Sequence, residues 1–197
     1  MESISLDELR EMAREAKDDL YTLNDGDCPK VYLHWTAGHY GQYFDDYHIL
    51  VDEDGAILVT VEDLSEKLAH TYMRNTGSIG IAMCCCAFAT TEDLGDEPPT
   101  DAQIESMAKV IAVLCEELEI PCDMYYVMTH GEAADNVDGD EPCEPYGCQN
   151  GTDRWDLQFL GTNESPEYTT DYEDETTGGN VLRRKANEYI AMWQGEE

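Results

Sequence analysis

The sequence predicts an α/β fold, a central mixed β-sheet flanked by helices within a single domain spanning residues 1–197. Three observations point there. Short apolar runs of strand length alternate with longer segments whose apolar residues recur at helical spacing. One pair of runs is joined by hairpin chemistry, which makes neighbours antiparallel. A helix that leads directly into a later strand implies a crossover, which makes other neighbours parallel.

Ser5-Leu6-Asp7-Glu8 reads as a capping box, and Leu6, Leu9, Met12, Ala13, Ala16 and Leu20 then fall on one face, predicting a packing helix over 6–20. Asn24-Asp25-Gly26-Asp27 is a turn, and Lys30–Trp35 is a mostly apolar strand of the kind found in a sheet centre. Tyr47–Val51 and Ala56–Val61 flank the turn Asp52-Glu53-Asp54-Gly55 as a hairpin. Leu64–Leu68 reads as a short helical turn and Ser78–Cys86 as another buried strand. After an acidic surface loop, Thr100-Asp101-Ala102-Gln103 caps a helix with the stripe Ile104, Met107, Ile111, Leu114 and Leu118. Met124–Thr129 is a short strand, with a long Asp/Glu/Gly/Pro-rich loop from Ala134 to Asp153 beyond it. An acidic excursion over 165–177 precedes a last helix over 180–194.

Charge and composition exclude several roles. The 197 residues carry 44 acidic and 11 basic side chains, a net charge of −33. A nucleic acid would be repelled, because binding a polyanion needs clustered Lys and Arg. No stretch approaches the roughly 20 apolar residues of a membrane span. Met1-Glu2-Ser3-Ile4-Ser5 lacks a basic segment followed by an apolar core, so synthesis in the cytoplasm without a secretory signal is expected. The eight cysteines do not form a disulfide framework. Cys84, Cys85, Cys86 and Cys115 read as buried small hydrophobes; Cys143 and Cys148 flank a loop in which they could bridge or meet a metal. The composition leaves the oligomeric state open.

The candidate chemistry lies in His34, His130 and Asp156. Each histidine ends an apolar run, Val31-Tyr32-Leu33-His34 and Tyr126-Val127-Met128-Thr129-His130, and Asp156 lies in Arg154-Trp155-Asp156. Two imidazoles and a carboxylate leave a zinc ion one open position, as a hydrolytic site requires. Strand ends hold such ligands rigidly while the loops beyond them admit substrate. Glu132, Asp135, Asp138 and Asp153 compete with Asp156 as the third ligand; Glu132 is too near His130 in an extended segment to reach the same ion.

The words around these residues resemble the zinc-dependent N-acetylmuramoyl-L-alanine amidases, the family of phage lytic amidases and animal peptidoglycan recognition proteins. They run in the family's order: His34-Trp35-Thr36, Tyr47-His48-Ile49-Leu50-Val51 leading to Gly55, His70, Asn75-Thr76-Gly77-Ser78-Ile79-Gly80-Ile81, His130, and Arg154-Trp155-Asp156. The resemblance covers Val31 to about Leu160.

It implies Zn²⁺ held by His34, His130 and Asp156, and hydrolysis of the amide between N-acetylmuramic acid and L-alanine. It assigns Tyr47 and Arg154 to transition-state stabilisation, Arg154 by charge alone because a guanidinium does not give up its proton. A glutamate that some members use is replaced by Ala82, closing that route. Trp35, His70 and Asn75 become substrate-binding candidates. His48 is expected on the sheet face opposite Tyr47. The partner implied is peptidoglycan or a muropeptide. The setting expected is a phage or prophage endolysin reaching the wall through a holin-type pore. The alternatives are a cytoplasmic muropeptide-recycling amidase and a non-catalytic peptidoglycan-binding module of the same fold.

Overall fold

The structure is a computed structural model and describes residues 2–145, 147 and 154–195. Its elements are β1 (Glu2–Ile4), α1 (Leu6–Leu23), β2 (Lys30–Trp35), β3 (Ile49–Val51), β4 (Ile57–Val59), β5 (Ser78–Met83), α2 (Asp101–Leu118), β6 (Val127–Thr129), α3 (His130–Ala134) and α4 (Gly178–Gly195). The strands form one mixed sheet in the order β1-β4-β3-β5-β2-β6. β2 runs parallel to both β5 and β6, β3 runs parallel to β5, and β4 is antiparallel to β1 and β3.

Side-chain alternation along β2 divides the molecule. Val31, Leu33 and Trp35 enter the main core with Ile79, Ile81 and Met83 of β5 and the apolar faces of α1, α2 and α4. α2 packs against both α1 and α4. Tyr32 and His34 take the other face, where Tyr32 meets Met128 and Ala133, and Leu50 meets Ala82 and Cys84. One face of the sheet is therefore sealed by three long helices, and the other is left to loops, α3 and the polar residues of interest. Both long capped helices begin where the capping boxes place them, at Ser5/Glu8 and Thr100/Gln103.

Three local readings need correction. Leu64–Leu68 is a turn in which the Glu66 amide meets the Asp63 carbonyl, not a helical turn. The segment after β6 is not extended: Thr129 and Glu132 form a reciprocal capping box that starts α3 at His130. Finally, β3 begins only at Ile49, so strand alternation does not govern Tyr47 and His48. Both lie on the His34 side, Tyr47 with its ring 5.0 Å from that of His34 and His48 with its ring 5.5 Å from that of His70.

Candidate metal centre and groove

Register brings the two histidines together. In the parallel pair β2/β6, Leu33 lies opposite Thr129, so the next residues, His34 and His130, leave the sheet side by side. On the other flank His34 lies opposite Ala82, so a methyl group stands beside it there. Asp156 arrives from a distant segment anchored by its neighbour: Trp155 packs edge-on against Trp35, ring centroids 5.0 Å apart, and also contacts Phe159 and Tyr168.

The inward atoms form a tight triangle. His34 Nδ1 and His130 Nδ1 are 3.1 Å apart, and each lies 3.4 Å from Asp156 Oδ2. All three residues are buried. Ligands about 2.0–2.1 Å from a tetrahedral zinc stand roughly 3.3–3.4 Å from one another, so the triangle has the size of one face of a tetrahedral zinc site. Among the described residues, His34, His130 and Asp156 are the group of three metal-ligating side chains whose ligand atoms lie within 4.8 Å of one another.

The outward nitrogens are held as well. His130 Nε2 lies 3.3 Å from Glu144 Oε2, and the other oxygen of that carboxylate accepts from Arg154 Nε at 2.9 Å. His34 Nε2 lies 3.3 Å from Thr71 Oγ1. Hydrogen bonds of this kind orient metal-ligating imidazoles and fix their tautomer.

Electrostatics favour a cation in the triangle. Burial works against charge on His130, but Asp156 and Glu144 outweigh it and push its pKa up to about 9. Burial also dominates at His34, and the neighbouring His130 adds to it, lowering its pKa to about 4 against the pull of Asp156. The Asp156 carboxyl would be raised by its burial, yet the two histidines hold it well below the usual carboxylate range. An ionised carboxylate between two imidazoles, with one positive charge held among them, is an arrangement a divalent metal can take over by displacing the proton.

The triangle opens on a groove of about 320 Å³, lined by Tyr47, His130, Arg154, Asp156, Trp35 and Trp155 among others. Tyr47 and Arg154 both line this groove. Burial above all, with Asp156 adding to it, raises the Tyr47 phenol far above its ordinary pKa, which keeps its proton on. Trp35 lines the groove but is only 4 % exposed, its ring packed on Trp155. A larger cavity of about 470 Å³ lies at the opposite, N-terminal ends of β2 and β5. Its cations are engaged: Lys30 with Asp138 and Asp140, Arg74 with Asp138.

Two expected substrate contacts are placed elsewhere. His70 is buried and does not line the groove; its Nδ1 meets Thr71 Oγ1 at 2.9 Å. Burial, with the neighbouring histidines adding to it, lowers its pKa to about 2, so it is a neutral ring. Asn75 Oδ1 accepts the backbone N–H groups of His70 and Thr71, which fixes their loop. Of the rival carboxylates, Glu132 pairs with Arg183, Asp135 accepts from the Tyr172 hydroxyl, and Asp138 binds Arg74 and Lys30. Asp153 lies outside the described residues, as does Cys148, the possible companion of the exposed Cys143. Sequence reasoning missed Thr71 and Glu144. Thr71 adjoins a histidine already singled out, while Glu144 is one carboxylate in an acidic loop with nothing local to mark it.

A buried His-His-Asp group that could hold a metal stands at the mouth of a groove on an α/β sheet. Residues 24–144, more than half of the chain, match the N-acetylmuramoyl-L-alanine amidase family, and the chain belongs to that family. The match ends before Arg154 and Asp156, so their place rests on the geometry above. Comparison with curated proteins gave no match.

Proposed function

We propose that this chain is a zinc-dependent amidase that cleaves the bond between N-acetylmuramic acid and the L-alanine of the stem peptide in peptidoglycan. Family membership supports the substrate class. The observation that carries the zinc dependence is the 3.1, 3.4 and 3.4 Å triangle of His34, His130 and Asp156. Zinc bound there supplies Lewis acidity, polarising a carbonyl and lowering the pKa of water to about 7.

The chain's own residues do the rest. His34 and His130 present Nδ1 lone pairs while Thr71 and Glu144 take their Nε2 protons. The Tyr47 hydroxyl, kept protonated by its surroundings, donates a hydrogen bond to the carbonyl oxygen as negative charge develops on it. Arg154, at the same groove and steadied by Glu144, adds positive charge there without giving up a proton. The tryptophan pair Trp35 and Trp155 forms a rigid wall that orients the substrate and excludes water from one side.

The setting we propose is a phage or prophage lytic enzyme acting on the intact wall. Purified sacculi incubated with the protein should release new L-alanine amino termini and no new reducing sugar ends. New reducing ends alone would overturn the amidase reading. Cleavage of soluble anhydro-muropeptides with no action on sacculi would move the enzyme from lysis to recycling.

A further inference from the structure

We propose that Thr71 and His70 are positioning residues for His34, acting through one hydrogen-bond chain that sets which nitrogen of His34 is free to bind metal. The inference rests on the reading of His34 as a metal ligand. His34 Nε2, Thr71 Oγ1 and His70 Nδ1 are linked in series at 3.3 and 2.9 Å. A hydroxyl has one proton, so the chain has two polarities. In one, His34 Nε2–H donates to Thr71 and Thr71 donates to His70 Nδ1; His34 Nδ1 is then a bare lone pair facing His130 and Asp156. In the other, His70 Nδ1–H donates to Thr71, Thr71 donates to His34 Nε2, and the proton on His34 falls on Nδ1, where it blocks the triangle. Only the first polarity is competent for metal.

The surroundings hold the chain in register. Asn75 Oδ1 accepts from the amides of His70 and Thr71 at 3.1 and 2.8 Å, so both residues are placed through their backbone. The His70 ring packs against Gly80, where a Cβ would come within 2.7 Å of its Cγ, so a larger residue would crowd the ring. His48 closes the far side, accepting from the Gly80 amide at 3.0 Å through Nδ1 and bonding the Glu66 carbonyl at 2.7 Å through Nε2. In the competent polarity the His70 proton sits on Nε2, which is buried with no hydrogen-bond partner among the described residues, so a metal at His34 Nδ1 would have to offset that one unmade bond. The two histidine ligands are thus braced differently. His130 leans on a carboxylate; His34 leans on a neutral hydroxyl whose direction a second histidine receives.

The test is Zn²⁺ affinity, by chelator competition, of the wild type, Thr71→Val, Thr71→Ser and His70→Phe, with the melting temperature of each metal-free protein recorded. Thr71→Val keeps the shape and removes the hydroxyl; it should weaken zinc binding by about 10- to 100-fold, while Thr71→Ser stays near wild type. His70→Phe, a ring of similar shape, should shift affinity in the same direction. Metal-free melting temperatures should stay close together. At saturating zinc, KM for peptidoglycan fragments should hold and kcat should fall. Should Thr71→Val not fold, His70→Phe and Thr71→Ser make the same comparison. Wild-type zinc affinity in Thr71→Val or His70→Phe overturns the proposal and leaves the amidase reading standing. A raised KM with unchanged zinc affinity in His70→Phe restores a substrate-binding role and also overturns it. A wild-type protein that takes up no zinc overturns the reading of the site, and this proposal with it.

Discussion

The Nδ1 atoms of His34 and His130 stand 3.1 Å apart although 96 residues separate them in the chain. Two imidazole lone pairs aimed at each other at that distance repel unless a proton or a metal ion lies between them. The parallel pairing of β2 with β6 enforces the approach, since Leu33 and Thr129 are register partners and each histidine is the next residue along. The sheet therefore brings two metal-ligating side chains together by topology, beside the Asp156 carboxylate.

If Tyr47 stabilises the transition state, removing its hydroxyl alone should be costly. Tyr47→Phe should keep its fold and its zinc and lose about 100- to 1000-fold in kcat. Arg154→Lys should be mild, because the charge remains, and Arg154→Ala severe. Full activity with normal zinc content in Tyr47→Phe would reduce the tyrosine to a packing residue.

Stability near His130 depends on a buried ion pair. Arg183 bonds both oxygens of Glu132 at 2.8 and 2.7 Å, and Glu132 in turn closes the capping box that starts α3. Arg183→Ala would strand a buried carboxylate, at a cost of about 3–5 kcal/mol in urea unfolding. Adding Glu132→Gln should recover a good part of that loss. A single-variant cost under about 1 kcal/mol would show that the pair is solvated in solution.

Acid should weaken the fold partly through Asp138. Burial alone would raise its carboxyl, but Arg74 and Lys30 outweigh that and bring its pKa down to about 2. A depressed folded-state value means that the stabilisation is fully present above the unfolded pKa near 4 and is lost as pH falls toward 2. Asp138→Asn should therefore be less stable than wild type at pH 7, on the order of 2 kcal/mol, with the gap closing between pH 4 and 2. At pH 7 it should keep its metal, because Asp138 lies outside the His34, His130 and Asp156 group. A gap that is constant with pH would place the effect in packing instead.

Salt should act in the opposite sense from that in a protein held by surface ion pairs. Among the described residues, nine of the eleven lysines and arginines already sit in salt bridges, which leaves most of the 44 acidic residues to repel one another. Screening shortens from about 10 Å at 0.1 M to about 3 Å at 1 M salt. The melting temperature should rise across that range, and a fall would show that the exposed pairs outweigh the repulsion.

Much of this was legible in the chain because it was written locally. The Ser5/Glu8 and Thr100/Gln103 boxes announce their helices, and the apolar runs ending at His34 and His130 bring both histidines to the same end of neighbouring strands. Thr129-x-x-Glu132 was equally visible as a capping box, yet reading the segment as extended hid α3 and the true partner of Glu132. Period-two alternation misled at His48 because the strand, expected from Tyr47, starts two residues later at Ile49. Thr71 and Glu144 were not legible at all. Their roles arise from a loop folding behind His34 and an acidic segment folding against His130, and nothing in a lone threonine or one glutamate among many encodes that approach.

The central claim is that His34, His130 and Asp156 together hold a zinc ion that hydrolysis requires. The most direct test is bound zinc per chain, by elemental analysis after dialysis, in wild type, His34→Ala, Asp156→Ala and Asp135→Ala, with release of L-alanine amino termini from sacculi measured on the same samples. The account predicts one zinc and activity in wild type and Asp135→Ala, and loss of both together in His34→Ala and Asp156→Ala. Stoichiometric zinc with undiminished release in His34→Ala, or zinc lost from Asp135→Ala but kept by Asp156→Ala, would contradict it.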